Sequence, residues 1–255
     1  MQRRTFIKTT TAATGSLLIP ANQAASPSGK DFYEMRVYQF ADGSGINRLK
    51  KYYTEAVIPL LNKNGAKVGV FGEYSKEDPP KLYVLHIHKG VSEYWETVQA
   101  MKSDKIFIEA SGDYFRQPAE KPVFERYETV LMEAFDAIPR YKSPGNNRGL
   151  FELRTYESYN EEALGRKIKM FNLEELPLFE EVGLHPLFFG EIVAGQFMPA
   201  LRYMLWFRNM EEREANWNKF RTSNKWTTMR NKAEYANTVS KVRKIFLTPL
   251  DISQI

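Results

Sequence analysis

The hydrophobic positions of this chain run through the same succession of periods twice. Residues 32–39 (F-Y-E-M-R-V-Y-Q) alternate with period two, and so do residues 150–157 (L-F-E-L-R-T-Y-E), which predicts a strand at each place. A period of 3.6 follows. Leu164, Ile168, Phe171 and Phe179 form one apolar stripe; Asn160 is placed to cap that helix, Glu161 and Glu162 suit its dipole, and Gly183 is placed to end it. Pro59 and Pro177 are expected to kink the last turns of the two helices. A hairpin comes next, strands 68–75 and 82–88 in one run and 187–193 and 201–207 in the other. Ser92 is then expected to cap a helix carrying Trp95, Val98 and Met101, whose counterpart carries Met210, Trp217 and Phe220. A last strand covers 123–134 or 239–248.

The two runs align at a constant offset of 118. Tyr33-Glu34-Met35-Arg36-Val37-Tyr38 corresponds to Phe151-Glu152-Leu153-Arg154-Thr155-Tyr156, and Ile58-Pro59-Leu60-Leu61 to Leu176-Pro177-Leu178-Phe179. Gly65 corresponds to Gly183, and Phe71-Gly72-Glu73 to Phe189-Gly190-Glu191. After one inserted residue, Pro80 and Leu82 match Pro199 and Leu201. The chain reads as two copies of a β-α-β-β-α-β unit, residues 30–140 and 148–255, joined through a Pro-, Gly- and Asn-containing segment from Pro139 to Gly149. The expected fold class is α+β: two tandem ferredoxin-like (βαββαβ) domains whose sheets cover each other as an intrachain pseudo-dimeric α+β barrel.

Residues 1–29 lie ahead of the first copy. Arg3-Arg4 followed by Phe6, Ile7 and Lys8, a mild apolar run and the small residues Ala21 to Ala25 read as a twin-arginine signal peptide and linker. A periplasmic or otherwise exported location is the expectation. Loss of Arg3, Arg4 and Lys8 lowers the formal charge from +5 to +2, so the mature chain gives no support for nucleic-acid binding. The mature region has no stretch long and apolar enough to span a membrane. With no cysteine, disulfides, thiolate metal sites and Cys nucleophiles are excluded.

The second copy contains F-E-L-R-T-Y-E-S-Y-N, R-K-I-K-M-F-N, G-L-H-P-L-F-F-G-E, M-P-A-L-R-Y-M-L-W-F and a terminal S-Q-I. Together these resemble bacterial members of the NIPSNAP family, over nearly all of 150–255; the first copy resembles the same domain more weakly, through Y-E-M-R-V-Y and V-F-G-E-Y. The resemblance implies the dimeric α+β barrel superfamily, and so the same two-sheet barrel. It implies no established reaction. Other branches of that superfamily include cofactor-independent oxygenases and haem-handling enzymes, an analogy at the level of fold.

Candidate chemistry sits on the polar strand faces. Glu34, Arg36 and Tyr38 share a face, as do Glu152, Arg154 and Tyr156. Such a face is either an internal ion-pair ladder or the wall of a polar cavity, in which Arg36 and Arg154 would hold an anionic ligand and Tyr38 and Tyr156 would relay protons. Glu191 would lie opposite Arg202 in one natural hairpin register and pair with it, whereas Glu73 faces Tyr83 at the matching place and lacks that partner. His86 and His88, two apart on one strand, share a face; a metal site would need further ligands that the sequence does not name, so no metal set is assigned. Glu73 and His86 are the first candidates for proton transfer, with Glu191 and His88 as ligand-binding candidates. Arg166, Lys167 and Lys169 read as a solvated helix face, and Trp95, Trp206, Trp217 and Phe188 as core.

Two functions stand. The first is a small-molecule binder or cofactor-light enzyme, possible oxygenase-type chemistry included, with its pocket between sheet and helices. No cofactor is required, and haem or a metal is left open. The second is a non-catalytic interaction or assembly module; a homo-oligomer is left open in either case.

Overall fold

The computed structural model describes residues 29–76, 78–146 and 148–255; the twin-arginine motif lies outside these residues. The first half runs β1 (Phe32–Gln39), α1 (Ser44–Tyr52), α2 (Ile58–Lys63), β2 (Lys67–Glu73), β3 (Lys81–His88), α3 (Val91–Ser103), α4 (Lys105–Ala110), α5 (Gly112–Phe115) and β4 (Arg126–Ala134). The second runs β5 (Leu150–Glu157), α6 (Glu161–Met170), α7 (Leu176–Val182), β6 (His185–Ala194), β7 (Ala200–Phe207), α8 (Met210–Thr222), α9 (Asn224–Arg230) and β8 (Lys241–Pro249).

The eight strands close into one antiparallel barrel in the order β1-β3-β2-β8-β5-β7-β6-β4. Two seams join the halves. Glu73 of β2 pairs with Leu247 of β8, and Met132 of β4 with Ile192 of β6. The sheets therefore meet edge to edge as well as face to face, and closure removes the unpaired edges that a lone split unit would expose.

The pleat sorts each strand into two layers. From β1, Tyr33 and Met35 enter the barrel interior with Phe71, Leu85, Met132, Phe151, Leu153, Phe188, Met204 and Leu247. Tyr38 instead joins Tyr53, Leu61, Val84 and Phe107 beneath the helices of the first half. The corresponding layer of the second half is aromatic, with Phe171, Phe179, Phe189, Tyr203, Trp217 and Phe220 packed together. Fully burying each such ring contributes about 1.5–3 kcal/mol.

The helix signals are mostly obeyed. Asn160 Oδ1 accepts the N–H of Ala163 at 2.8 Å, and Gly183 ends α7 with φ +79°. Pro59 and Pro177 fall where their helices pass from a π turn to α winding. Each sits at the start of an α segment, where a missing N–H is tolerated, and a wide π turn precedes it: Tyr53–Val57 and Phe171–Glu175. The N–H of Ile58 reaches back to the Tyr53 carbonyl and that of Leu176 to the Phe171 carbonyl, the five-residue step of a π turn. Ser92 is not a cap: α3 begins at Val91 behind Gly90. Trp95 is not core, being 54% exposed.

One irregularity inverts an expected equivalence. In β6, Pro186 pairs with Leu205 but Phe188 pairs with Met204, so Leu187 is an extra residue, a β-bulge. Beyond it the side chains change face as far as Ile192, where Val193 is a second extra residue. Phe71 lies in the barrel interior, whereas Phe189 lies under the helices. The repeated Phe-Gly-Glu is aligned in sequence and opposed in space.

Candidate functional site

The Glu-x-Arg-x-Tyr faces of β1 and β5 both point outward, beneath the helices, in two separate places. In the first half the face is a closed cluster. Arg36 grips Glu34 through Nε (2.8 Å) and a terminal nitrogen (3.0 Å), Thr129 Oγ1 donates to Glu34 at 3.0 Å, and His86 Nδ1 lies 2.9 Å from the same carboxylate. An ionised acceptor assigns the imidazole proton to Nδ1. Burial alone would raise the Glu34 carboxyl, but the bonds from His86 and Arg36 outweigh it and hold it well below the usual range. Burial lowers His86, and pushes His88 down to about 3 with help from His86. Tyr38 shares a 2.9 Å hydroxyl contact with Tyr53, and burial raises its pKa.

Glu34, His86 and His88 bring potential ligand atoms within 4.8 Å of one another, the geometry of a metal site. The donor set does not suit one. Both oxygens of Glu34 already serve Arg36, and a divalent cation would lie beside that guanidinium in a buried place. The cluster reads as an ion-pair ladder.

In the second half the same face opens on a groove of about 880 Å³. Glu152 takes Arg154 of its own strand (2.7 Å) and is anchored from the helix side, where both Nε and a terminal nitrogen of Arg213 (2.9 and 3.0 Å) and the Trp217 indole N–H (2.8 Å) donate to it. Burial works against its charge, yet the Arg213 bonds and the Arg154 charge keep its pKa low. Arg154 also donates to the Tyr156 hydroxyl at 3.1 Å, and Tyr203 donates to it at 2.9 Å. Accepting both, Tyr156 keeps its own proton for a further partner. Arg154 lies over the Trp217 ring, 4.6 Å from its centroid. On the facing helix Lys167 donates to Glu175 at 2.9 Å, and burial raises the Glu175 carboxyl against that pairing.

The remaining candidates lie elsewhere. Glu73 is buried on the barrel side of β2, where the Tyr83 hydroxyl donates to it at 3.3 Å; Tyr83 is thus a partner of Glu73 rather than a sign that it has none. His86 is on the outward face of β3, so Glu73 and His86 do not share a site. Glu191 is exposed and pairs in register with Leu201, while Gly190 faces Arg202. The expected Glu191–Arg202 ion pair is absent because the bulge turns Glu191 outward, and Arg202 bonds Thr155 Oγ1 at 2.8 Å. Burial and the neighbouring Glu133 raise the Glu191 carboxyl.

Sequence reasoning missed Lys167, Glu175 and Arg213 as site residues. Lys167 is buried, not part of a solvated face. A signal existed: at the offset of 118, Lys167 and Glu175 stand where the first copy has Leu49 and Val57. A charged pair replacing an apolar pair under a sheet marks a place where the copies diverge in use.

A search of curated proteins finds no match. Among solved structures, the chain is similar to a candidate monooxygenase from Fusobacterium nucleatum, with TM-score 0.57 and 9% identity over 88% of this chain and 94% of that one. It is similar to an anthrone oxidase-like protein, with TM-score 0.51 and 6% identity over 88% and 92%. A NIPSNAP family protein from Agrobacterium tumefaciens aligns with 45% of this chain and 98% of its own, at TM-score 0.39 and 12% identity. At these identities the likenesses above 0.5 speak for the fold alone, an α+β barrel. The NIPSNAP family model matches residues 151–254, the second half of the chain.

Proposed function

From a NIPSNAP domain whose outward sheet face is open, we propose a small-molecule-binding protein whose ligand, a flat aromatic compound bearing an acidic group, lies in the second-half groove. One observation carries this. The groove is lined by Arg154, Lys167, Arg213, Arg221, Arg230 and Lys244 against the carboxylates Glu175 and Glu214, with Tyr156, Phe179, Trp217, Phe220 and Trp226 between them. The cationic excess suits an anion, and the rings offer stacking faces. Arg154 and the Tyr156 hydroxyl would hold the acidic group. Lys167 and Glu175 would close the far wall.

Oxygenase-type chemistry without a cofactor is the finer version of the reading. Such chemistry needs a base, and Glu175 is the groove carboxylate whose pKa burial raises, the direction general-base work requires. The twin-arginine pattern at Arg3-Arg4 supports export of the protein. The test is titration with 1-hydroxy-2-naphthoate, followed by fluorescence of Trp217 and Trp226. Saturable quenching is expected, weakened about tenfold or more in Arg154→Met and unchanged in Arg36→Met. No quenching, with no small molecule carried by protein isolated from its own host, would leave the interaction-module reading in its place.

A further inference from the structure

β5 serves two faces. Arg154 and Tyr156 look onto the groove, while Leu153 and Thr155, the alternate residues, open on a second cavity of about 380 Å³ at one mouth of the barrel. Val37, Val130, Leu153 and Ile245 give this cavity an apolar lining. Lys81, Arg202, Arg243 and Lys244 bring positive charge to it, against Glu128. Arg243 is engaged already, by an ion pair with Glu157 and by lying over the Phe197 ring at 4.0 Å.

Arg202 is different. It is 6% exposed, and its Nε donates to Thr155 Oγ1 at 2.8 Å, which holds the side chain across the cavity wall. Among the described residues no carboxylate forms an ion pair with it. Glu128, the acidic residue of the lining, takes the Gln39 amide at 3.3 Å. A guanidinium taken out of water is normally paired, because an uncompensated buried charge is costly. Burial pulls this one down to about 10 although Tyr83 and Glu128 act against that.

We propose that the barrel mouth is a second ligand site, which takes a small organic monocarboxylate whose carboxylate pairs with Arg202 and whose apolar body rests on Val130 and Leu153. The guanidinium fork matches a carboxylate in two parallel hydrogen bonds. The apolar lining distinguishes an organic anion from inorganic phosphate, which would find nothing to contact there. Lys81 at the cavity would draw anions toward it. The site lies on the opposite face of the sheet from the groove and does not depend on the groove's reading.

Calorimetric titration of the full chain with benzoate, and in parallel with inorganic phosphate, tests it. Saturable benzoate binding is expected, weakened about tenfold or more in Arg202→Met and changed less than about twofold in Arg154→Met. Without ligand, Arg202→Met should melt no lower than the parent, since it removes a buried charge with no ion-pair partner among the described residues. If that variant fails to fold, Arg202→Lys keeps the charge without the fork and should show an intermediate loss. No benzoate binding to the parent overturns the proposal. So does binding lost in Arg154→Met but kept in Arg202→Met, which would place the anion in the groove. Phosphate bound as tightly as benzoate removes the role of the apolar body, and an Arg202→Met protein that melts lower while binding benzoate normally makes Arg202 a structural residue.

Discussion

The first half of the barrel satisfies the carboxylate of its Glu-x-Arg-x-Tyr face from within the sheet and the second half opens the same face on a groove, although the three strand residues are identical. What differs is who else reaches the carboxylate. Glu34 is served from within the sheet, by Arg36, His86 and Thr129, so its cluster needs nothing from the helices above. Glu152 is served from α8, by Arg213 and Trp217, and those long side chains hold the helix layer over the sheet with space between them. The lesson is that a motif on one strand does not define a site. The neighbours that satisfy its buried carboxylate decide whether it becomes a ladder or a wall.

This comparison can be broken most forcefully at Glu152. Glu152→Ala strands Arg154, Arg213 and the Trp217 N–H together, and should cost about 3–5 kcal/mol in urea denaturation. If the loss is under about 1 kcal/mol, α8 is not held by this carboxylate.

Acid titration separates the halves by sign. Glu34 has a folded pKa held below the ordinary 4.5. The stability it contributes is therefore present above about pH 4.5 and lost as pH falls through its folded value. The gap between parent and Glu34→Gln should be flat from about pH 7 to 5, and shrink below that. Glu175 is raised, so its contribution runs the other way, present below about pH 4.5 and lost as pH rises through its folded pKa. A parent-minus-Glu34→Gln gap that widens on acidification contradicts the assignment of Glu34 as an ionised partner of Arg36.

A smaller effect is expected at His88, both of whose ring nitrogens are buried without a hydrogen bond. The second half has Phe207 at the matching place. His88→Phe should be neutral or stabilising by up to about 1 kcal/mol in thermal unfolding. A loss above about 2 kcal/mol would show that the imidazole has a partner after all.

The smallest effect separates the two glutamates. Glu191→Gln should stay within about 0.5 kcal/mol, since Glu191 is exposed beside Glu133. Glu73→Gln should cost about 1 kcal/mol, through the bond from Tyr83 in a buried place. Equal costs would mean that the two residues share one environment.

Much of the fold was legible because period and repetition are strong signals: β1 and β5 lie on the ranges that alternation predicts, and the duplicated order of elements implies the barrel. The site was less so. Alternation places Arg36 and Arg154 on one face of their strands, but which face meets helices and which meets the barrel interior depends on closure through β2–β8 and β4–β6. Lys167 and Glu175 were hidden for another reason. Lysine on an amphipathic helix is usually solvated, and only a three-dimensional neighbour shows that this one is covered. The Glu191–Arg202 pairing failed on a single residue, Leu187, whose bulge leaves no mark in the apolar pattern or in the spacing, since Gly183 and Phe189 stand as far apart as Gly65 and Phe71.

That bulge carries a consequence for duplicated strands at large. Along a strand, direction depends only on whether a position is odd or even. One added residue reverses parity for everything beyond it; two would restore it. A strand can thus move a whole set of side chains from the inside of a barrel to its outside by bulging one residue, leaving the words of the sequence intact. In this chain the second Phe-Gly-Glu has the spelling of the first and the address of its reverse side. A comparison of repeats that counts letters equates Glu73 with Glu191; one that counts parity equates Glu73 with Ile192.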